Sequence, residues 1–117
     1  MAAITNLYED PQQVQYQSAW VGDWHVYVVR LVDEYGAPVD ITTGTLGATY
    51  TDIATGSAYS FGGGTVTLTK QYSAQGIVSI LNPAAYPTAT TVRLTISFTV
   101  GSVVRRFGPV QIQVLAP

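Results

Sequence analysis

His25 is the only histidine in this chain of 117 residues, and its imidazole is the side chain best suited to proton transfer near neutral pH. General acid or base catalysis would need a carboxylate or a nucleophile placed beside it in space. The sequence indicates no such partner, because His25 lies between Trp24 and Val26 in an apolar run. We therefore interpret His25 as a strand residue at a sheet face or an interface, and we predict that the protein is not an enzyme.

A bend is predicted within residues 31–42, LVDEYGAPVDIT, where Asp33, Glu34 and Asp40 supply carboxylates. Carboxylate oxygens bind calcium, but these residues lack the alternating D-x-D-x-D spacing of a calcium loop. The structural alternative is that Gly36 takes the positive φ of a turn, while Asp33 and Asp40 accept hydrogen bonds from the local backbone. We favour this alternative, and we expect neither a metal ion nor another cofactor.

Arg105 and Arg106 are the only adjacent cations in the chain. Neighbouring residues of a strand point to opposite faces, so one arginine can lie at the rim of a core or in an ion pair, while the other faces a partner's carboxylate. The chain also has eight tyrosines and two tryptophans, more than one small core needs. These residues favour a protein-binding role, because tyrosine and tryptophan combine a large apolar area with a polar tip.

The composition limits the possible partners. Charged residues make up 10% of the chain, against roughly 25% in an ordinary soluble domain, which fits a protein that works inside an assembly. The net charge is −2 and no basic stripe occurs, so nucleic acid is a poor candidate partner. Cysteine is absent, which excludes disulfides and a catalytic thiol. Neither a membrane span nor a signal peptide is recognisable, so we expect synthesis in the cytoplasm and no membrane partner.

The pattern of the chain predicts β-strands as the elements that position these side chains. Period-two alternation, or enrichment in β-branched and aromatic residues, predicts strands at 23–32, 45–53, 65–69, 76–81, 91–100 and 103–115. A turn at residues 55–56 leads into another short extended run, and Gly62 to Gly64 form a flexible hairpin tip with no phosphate-loop features. Residues 23–32 are apolar on both sides, so a neighbouring sheet or subunit must cover the second face.

Two registers are possible for the last hairpin. A two-residue loop would pair Val100 with Val103 and place Phe98 opposite Arg105, whereas a three-residue loop would pair Val92 with Ile112. We prefer the three-residue loop because it matches apolar to apolar side chains, unless a bulge at residues 108–109 repairs the other register. Pro109 lacks an N–H, so the last strand lies at an edge or bends there.

The sequence therefore predicts an all-β fold, an immunoglobulin-like antiparallel β-sandwich of about seven strands with an extended N-terminal arm. We assign residues 1–20 to the arm and residues 21–117 to the sandwich domain. The arm has no sustained period and contains a proline, yet it carries several apolar and aromatic side chains. An arm that docks on a neighbouring subunit would explain them.

The bend belongs to a pattern seen in other proteins. Leu31, Asp33, Gly36, Pro38, Asp40, Ile41 and Thr42, followed by Gly44, resemble the motif L-x-D-x-x-G-x-P-x-D-L-T-G. This motif occurs near the start of immunoglobulin-like domains in virion proteins of tailed bacteriophages, including the N-terminal domains of baseplate upper proteins. The match covers about a tenth of the chain, and this sequence departs from it by an extra residue, Thr43, before the glycine.

The resemblance implies a structural protein of the virion. A small sandwich with an apolar arm is similar to capsid decoration, or cement, proteins, which bind the exterior of the assembled shell and stabilise contacts between major capsid subunits. A homotrimer at local threefold positions is the oligomer that this resemblance implies. The residues we expect at the partner interface are Leu7, Tyr8, Tyr16, Trp20, Trp24, Arg105 and Arg106.

Two alternatives remain open. The protein could be a tail, neck or baseplate adaptor, since the motif is a corner of the fold and does not specify a place in the virion. It could also be a carbohydrate-binding module for host adhesion, for which Tyr59, Phe61, Tyr72 and Tyr86 are candidate stacking platforms.

Overall fold

The computed structural model describes residues 4–9 and 14–117. Eight strands and one short 3-10 helix form in this part of the chain. They are β1 (Thr5–Tyr8), β2 (Gln15–Trp20), β3 (Val26–Val32), β4 (Thr45–Asp52), β5 (Thr67–Tyr72), the 3-10 helix η1 (Ser73–Gln75), β6 (Ile77–Leu81), β7 (Thr90–Val100) and β8 (Val103–Leu115). The predicted extended run after residues 55–56 is only an isolated bridge, between Ala58 and Thr51.

The strands form two four-stranded sheets that pack face to face. Sheet A has the order β1-β3-β6-β5, and sheet B has the order β2-β8-β7-β4. The prediction of an all-β sandwich is confirmed. Apart from β1 and β2, the orders β3-β6-β5 and β8-β7-β4 match the B-E-D and G-F-C arrangement of immunoglobulin-type sandwiches.

The core lies between the sheets and follows from the period-two pattern. Val92, Leu94, Ile96 and Phe98 of β7 are buried, while the polar residues between them are more exposed. β8 repeats the pattern in its second half. Each strand therefore contributes alternate side chains to the core, as the sequence predicts.

The described N-terminal residues form strands of the two sheets, which corrects the prediction of an extended arm. Thr5–Tyr8 pairs in parallel with β3, and Gln15–Trp20 pairs in parallel with β8, so both stretches belong to the sandwich. Leu7 is fully buried and Ala19 is nearly so, because each side chain fills a place in the core. Two edge pairings are thus parallel, which differs from the predicted antiparallel sandwich. Residues 1–3 and 10–13 of the predicted arm lie outside the described residues.

The last hairpin begins in the register that we did not prefer and contains the bulge at residues 108–109 that we named as the exception. Val100 pairs with Val103 and Phe98 with Arg105, as a two-residue loop requires. The register then shifts opposite Gly108 and Pro109, and beyond the shift Leu94 pairs with Val110. The bulge restores apolar pairing, so both registers occur in one hairpin. Gly108 has φ +111°, a backbone conformation that residues with a Cβ rarely adopt.

β3 is apolar on both sides, as predicted, but its second face is covered only in part. At its end, Val32 is fully buried and forms an isolated bridge with Pro38 of the following bend. At its start, Val26 remains 56% exposed. The bend thus covers one end of the outer face, and the other end stays open.

Candidate partner-binding site

The bend after β3 is held by its own side chains. Oδ1 of Asp33 accepts hydrogen bonds from the N–H groups of Tyr35 and Ala37, both at 2.9 Å. Oδ1 of Asp40 accepts from the hydroxyl and the N–H of Thr42, and these bonds lower the pKa of the Asp40 carboxyl. Gly36 has φ +86°. The structural interpretation of the bend is confirmed, and no acidic cluster suited to a metal ion occurs within residues 4–9 and 14–117.

This bend and the β7–β8 hairpin enclose a groove at one end of the sandwich. The groove has a volume of about 480 Å³ and is lined by Glu9, Asp33, Glu34, Tyr35, Val104, Arg105 and Arg106. The structure therefore brings the predicted arginines together with the bend, which lies about seventy residues earlier in the chain. Tyr35 is 87% exposed, so its ring is available to a partner.

Arg105 is already paired within the protein. Its Nε and Nη2 donate to the two carboxylate oxygens of Glu9 at 2.7 and 2.6 Å, and its guanidinium lies over the ring of Phe107. The hydrogen bonds from Arg105 hold the pKa of Glu9 below its ordinary value, and the same contact raises the pKa of Arg105. This pair joins the end of β1 to β8. This position fits the prediction that one arginine lies at the rim of the core or in an ion pair.

Arg106 points to the other face of β8, where it is exposed and makes no salt bridge within the described residues. Beside it, the hairpin tip carries apolar side chains that the core does not use. Val100, Val103 and Val104 are 47%, 62% and 44% exposed. We refer to Tyr35, Val100, Val103, Val104 and Arg106 as the hairpin end.

A second exposed surface lies at the opposite end of β3. Trp24 is 61% exposed and Val26 is 56% exposed. Nε1 of Trp24 donates to the carbonyl oxygen of Asn82 at 2.7 Å, which fixes the indole beside the end of β6. We refer to Trp24 and Val26 as the Trp24 surface. It is the open part of the apolar outer face of β3.

The other predicted interface residues lie elsewhere. Leu7 is a core residue and cannot contact a partner in the folded protein. Tyr8 is half-buried, with its ring close to Gly36 of the bend. Tyr16 and Trp20 are exposed on β2, at the edge of sheet B. The structure therefore divides the predicted set between the core, the hairpin end, the Trp24 surface and this edge.

The predicted saccharide platform is mostly interior. Tyr59 and Tyr86 are buried, and Phe61 packs edge-on against Tyr59, so these rings form an aromatic cluster within the fold. Tyr72 alone of the four candidates is well exposed. The residues lie near loops, but the rings of Tyr59, Phe61 and Tyr86 turn inward and fill the loop end of the core.

His25 also joins this aromatic cluster. Its ring stacks on Tyr27 at 5.6 Å between centroids, and its Nε2 lies 3.4 Å from Oδ2 of Asp23. A carboxylate therefore lies beside the histidine, where none was predicted. Its side-chain hydrogen bonds within the described residues include none to a serine or threonine hydroxyl.

Sequence reasoning missed Tyr35 and the valines of the hairpin tip. Tyr35 carries a signal in retrospect, since a large ring between Glu34 and Gly36 at the tip of a turn has no core to enter. Val103 and Val104 carry a weaker signal, because consecutive apolar residues in a strand cannot both face inward.

No family model, no curated protein and no solved structure matches the chain. The fold and its exposed surfaces are therefore the basis for an argument about function. No helix in the described part of the chain is long and apolar enough to span a membrane.

Proposed function

We propose that the protein is a decoration protein of a tailed-bacteriophage capsid, which binds the outside of the assembled shell and holds neighbouring major capsid subunits together. The observation that carries this proposal is the presence of two exposed apolar surfaces at opposite ends of β3. One is the hairpin end and the other is the Trp24 surface. A protein that joins two subunits needs two separate surfaces.

The hairpin end has the chemistry of a protein interface. Interfaces are enriched in tyrosine and arginine, and hot spots are aromatic or arginine side chains that become desolvated on binding. Tyr35 supplies the ring and the hairpin valines supply apolar area. Arg106, which makes no salt bridge within residues 4–9 and 14–117, would bind a carboxylate of the capsid subunit. Arg105 is not free, because Glu9 already neutralises it.

The Trp24 surface supplies the second contact. Tryptophan is the residue most enriched among hot spots, and the bond from Nε1 to Asn82 orients this indole before a partner arrives. An oriented side chain loses less conformational entropy on binding. We expect this surface to contact a subunit different from the one that contacts the hairpin end.

The place in the virion rests on the resemblance of residues 31–44 to the phage corner motif. The low charge of the chain supports an assembled state. A homotrimer at local threefold positions of the capsid exterior is part of the proposal, with the major capsid protein as partner.

The proposed mechanism is thermodynamic. Two contacts on two neighbouring subunits are made together only when those subunits are assembled, so the protein binds the shell more tightly than it binds free subunits. A ligand that binds only the assembled state stabilises that state by mass action.

Co-sedimentation of purified protein with heads of its phage tests the proposal. We expect wild-type protein to pellet with heads, and Tyr35→Ala and Trp24→Ala each to bind at least about tenfold more weakly, as expected for loss of a hot-spot side chain. Tyr72→Ala is the matched control, because Tyr72 is 65% exposed but belongs to neither surface. Unfolding curves establish that each variant is folded.

Equal binding by all three variants would overturn the assignment of the two surfaces. Failure of the wild-type protein to bind heads, together with binding to purified tails, would replace the capsid with the tail as the site of action.

A further inference from the structure

The strand β4 is the longest of the four edge strands in the described chain, which are β1, β2, β4 and β5. Exposed strand edges pair with other chains unless they are short, charged, bulged or covered. β1 has four residues, and β5 has both Lys70 and a register shift after it. β4 has eight residues, Thr45–Asp52, with no proline, no register shift and no charge before Asp52.

The backbone hydrogen bonds identify which part of this edge is free. Residues 44 and 50 point away from β7, because the carbonyl of Gly44 accepts from Lys70 Nζ and the carbonyl of Tyr50 accepts from the N–H of Tyr59. Alternate residues of an antiparallel strand point the same way. Leu46 and Ala48 therefore also direct their N–H and C=O groups outward, and neither has a backbone partner in the described chain.

The side chains along this edge leave apolar area uncovered. Leu46 and Ala48 of β4, with Val66 and Leu68 on the facing edge of sheet A, pack against the core but are only half-buried. A groove of about 420 Å³ adjoins them, and its lining includes Ala48 and Val66. The sandwich is therefore incompletely closed where the backbone of β4 is also unpaired.

We infer that β4 pairs antiparallel with β4 of a second copy of this chain. The pairing places Leu46 opposite the partner's Ala48 and Gly47 opposite the partner's Gly47. This register pairs outward-directed backbone groups with each other, as an antiparallel ladder requires. It also sets apolar opposite apolar on the inner face, and Thr45 opposite the partner's Thr49 on the outer face, where threonine pairs are favourable.

The contact is isologous, with a twofold axis through the paired glycines, and it joins sheet B of two copies into one continuous sheet. Each pair of Leu46 and the partner's Ala48 exchanges both N–H···O bonds. The free stretch is short, because Lys70 and Tyr59 occupy its two ends. We therefore expect weak, concentration-dependent association. This surface is distinct from the hairpin end and the Trp24 surface, so the dimer and the shell contacts are compatible.

Sedimentation equilibrium of the full chain over a wide concentration range tests the inference. We expect a monomer–dimer equilibrium for wild type. The double variant Thr45→Lys/Thr49→Lys sets lysine opposite lysine in the dimer, and like charges directly opposite destabilise strand pairing. The matched control is Thr99→Lys/Thr95→Lys, because these residues pair with Thr45 and Thr49 on central strand β7 and carry the same added charge. We expect dimerisation to be lost in the first double variant and kept in the second.

A second variant acts on the backbone. Ala48→Pro removes an outward N–H that no residue of the same described chain accepts, so we expect a folded monomer that no longer dimerises. A wild-type protein that stays monomeric at every concentration would overturn the inference. So would equal loss of dimer in both lysine variants, or self-association in solution that both lysine variants leave intact. None of these results bears on whether the protein binds heads.

Discussion

At the scale of single residues, the Glu9–Arg105 pair shows how the fold joins distant parts of the chain. Both oxygens of the carboxylate accept hydrogen bonds from the guanidinium. This bidentate geometry is stronger and more directional than that of an ordinary surface ion pair. The pair ties the end of β1 in sheet A to β8 in sheet B, next to an isolated bridge between Glu9 and Phe107. Its contribution to stability depends on the charge of Glu9, and therefore on pH.

We predict that Glu9→Gln lowers the free energy of unfolding by about 0.5–1 kcal/mol at neutral pH. The folded-state pKa of Glu9 is lowered, so its contribution is present above the ordinary pKa of a glutamate and is lost as the pH falls through the folded pKa. Urea unfolding of both proteins across this acidic range should show the difference shrinking toward zero.

Glu34→Gln is the control for Glu9→Gln, because Glu34 makes no salt bridge within the described residues. We expect it to unfold like wild type at neutral pH. A difference between wild type and Glu9→Gln that stays constant down to the lowest pH would contradict the proposed role of the pair.

Asn82 is the one buried polar side chain of the described core. The hydrogen bond that its amide accepts is a second contact on which stability depends. Oδ1 of Asn82 accepts from the Tyr50 hydroxyl at 2.6 Å, and burial raises the pKa of Tyr50. Tyr27 and Tyr86 share a further hydroxyl contact nearby. At the loop end of the core, hydrogen-bonded polar groups are therefore surrounded by aromatic rings.

We predict that Tyr50→Phe lowers the free energy of unfolding by about 1–3 kcal/mol, because the buried Oδ1 of Asn82 loses its donor. Tyr72→Phe removes a hydroxyl from an exposed ring and should change stability little. Chemical denaturation of the two variants measures the difference. Equal stabilities for Tyr50→Phe and wild type would show that water or another donor replaces the tyrosine.

At the scale of elements, Gly76 shows why β3, β6 and the bend fit together. It follows η1 with φ +69°, and its carbonyl accepts from the N–H of Leu31. A Cβ at this position would lie 2.6 Å from the carbonyl oxygen of Leu31 and 2.7 Å from that of Val39. Only glycine allows the backbone of the bend to approach this closely.

We predict that Gly76→Ala destabilises the protein by about 2–5 kcal/mol, since backbone strain and overpacking add. Gly56→Ala separates the two effects, because Gly56 has a similar φ of +74° and no atom within 4 Å of the added Cβ. Gly56→Ala should cost about 1–2 kcal/mol, from the conformation alone. Thermal unfolding of both variants provides the comparison, and equal losses would rule out the close approach as the cause.

The elements also show how far sequence alone predicts this structure. Strands β3 to β8 were predictable because the alternation of apolar and polar residues along them indicates which side chains enter the core. The hairpin register with a bulge at Gly108 was considered but not preferred. The energies of the two registers differ because their side chains pack differently, and the sequence does not show this packing. β1 and β2 were missed because their partners, β3 and β8, are far away in the chain and their own pattern is too short to stand alone.

The sequence predicts some residues of the candidate site but not how the fold arranges them. Trp24 and Arg106 were selected for their residue types, and both are exposed in the structure. Tyr35 was part of the bend but was not selected, because its exposure depends on a turn whose tip faces away from the sheets. Leu7 was selected wrongly as a free arm residue, since its place in the core depends on a pairing with β3.

At the scale of the whole molecule, the sandwich presents distinct surfaces in different directions. The hairpin end and the Trp24 surface lie at opposite ends of β3, and the free edge of β4 lies along one side. The two end surfaces lie beyond opposite ends of β3, whose 7 residues span roughly 20 Å at the rise of a β-strand. This separation suits a protein that bridges two neighbours.

The most direct measurement is the temperature at which phage heads rupture with and without this protein. We expect heads that lack the protein to assemble and then to rupture at a lower temperature, and added wild-type protein to restore the original temperature, because binding to the assembled state stabilises it. Tyr35→Ala and Trp24→Ala should restore it only at higher protein concentration. An unchanged rupture temperature, with the protein found in purified tails and not in heads, would contradict the account.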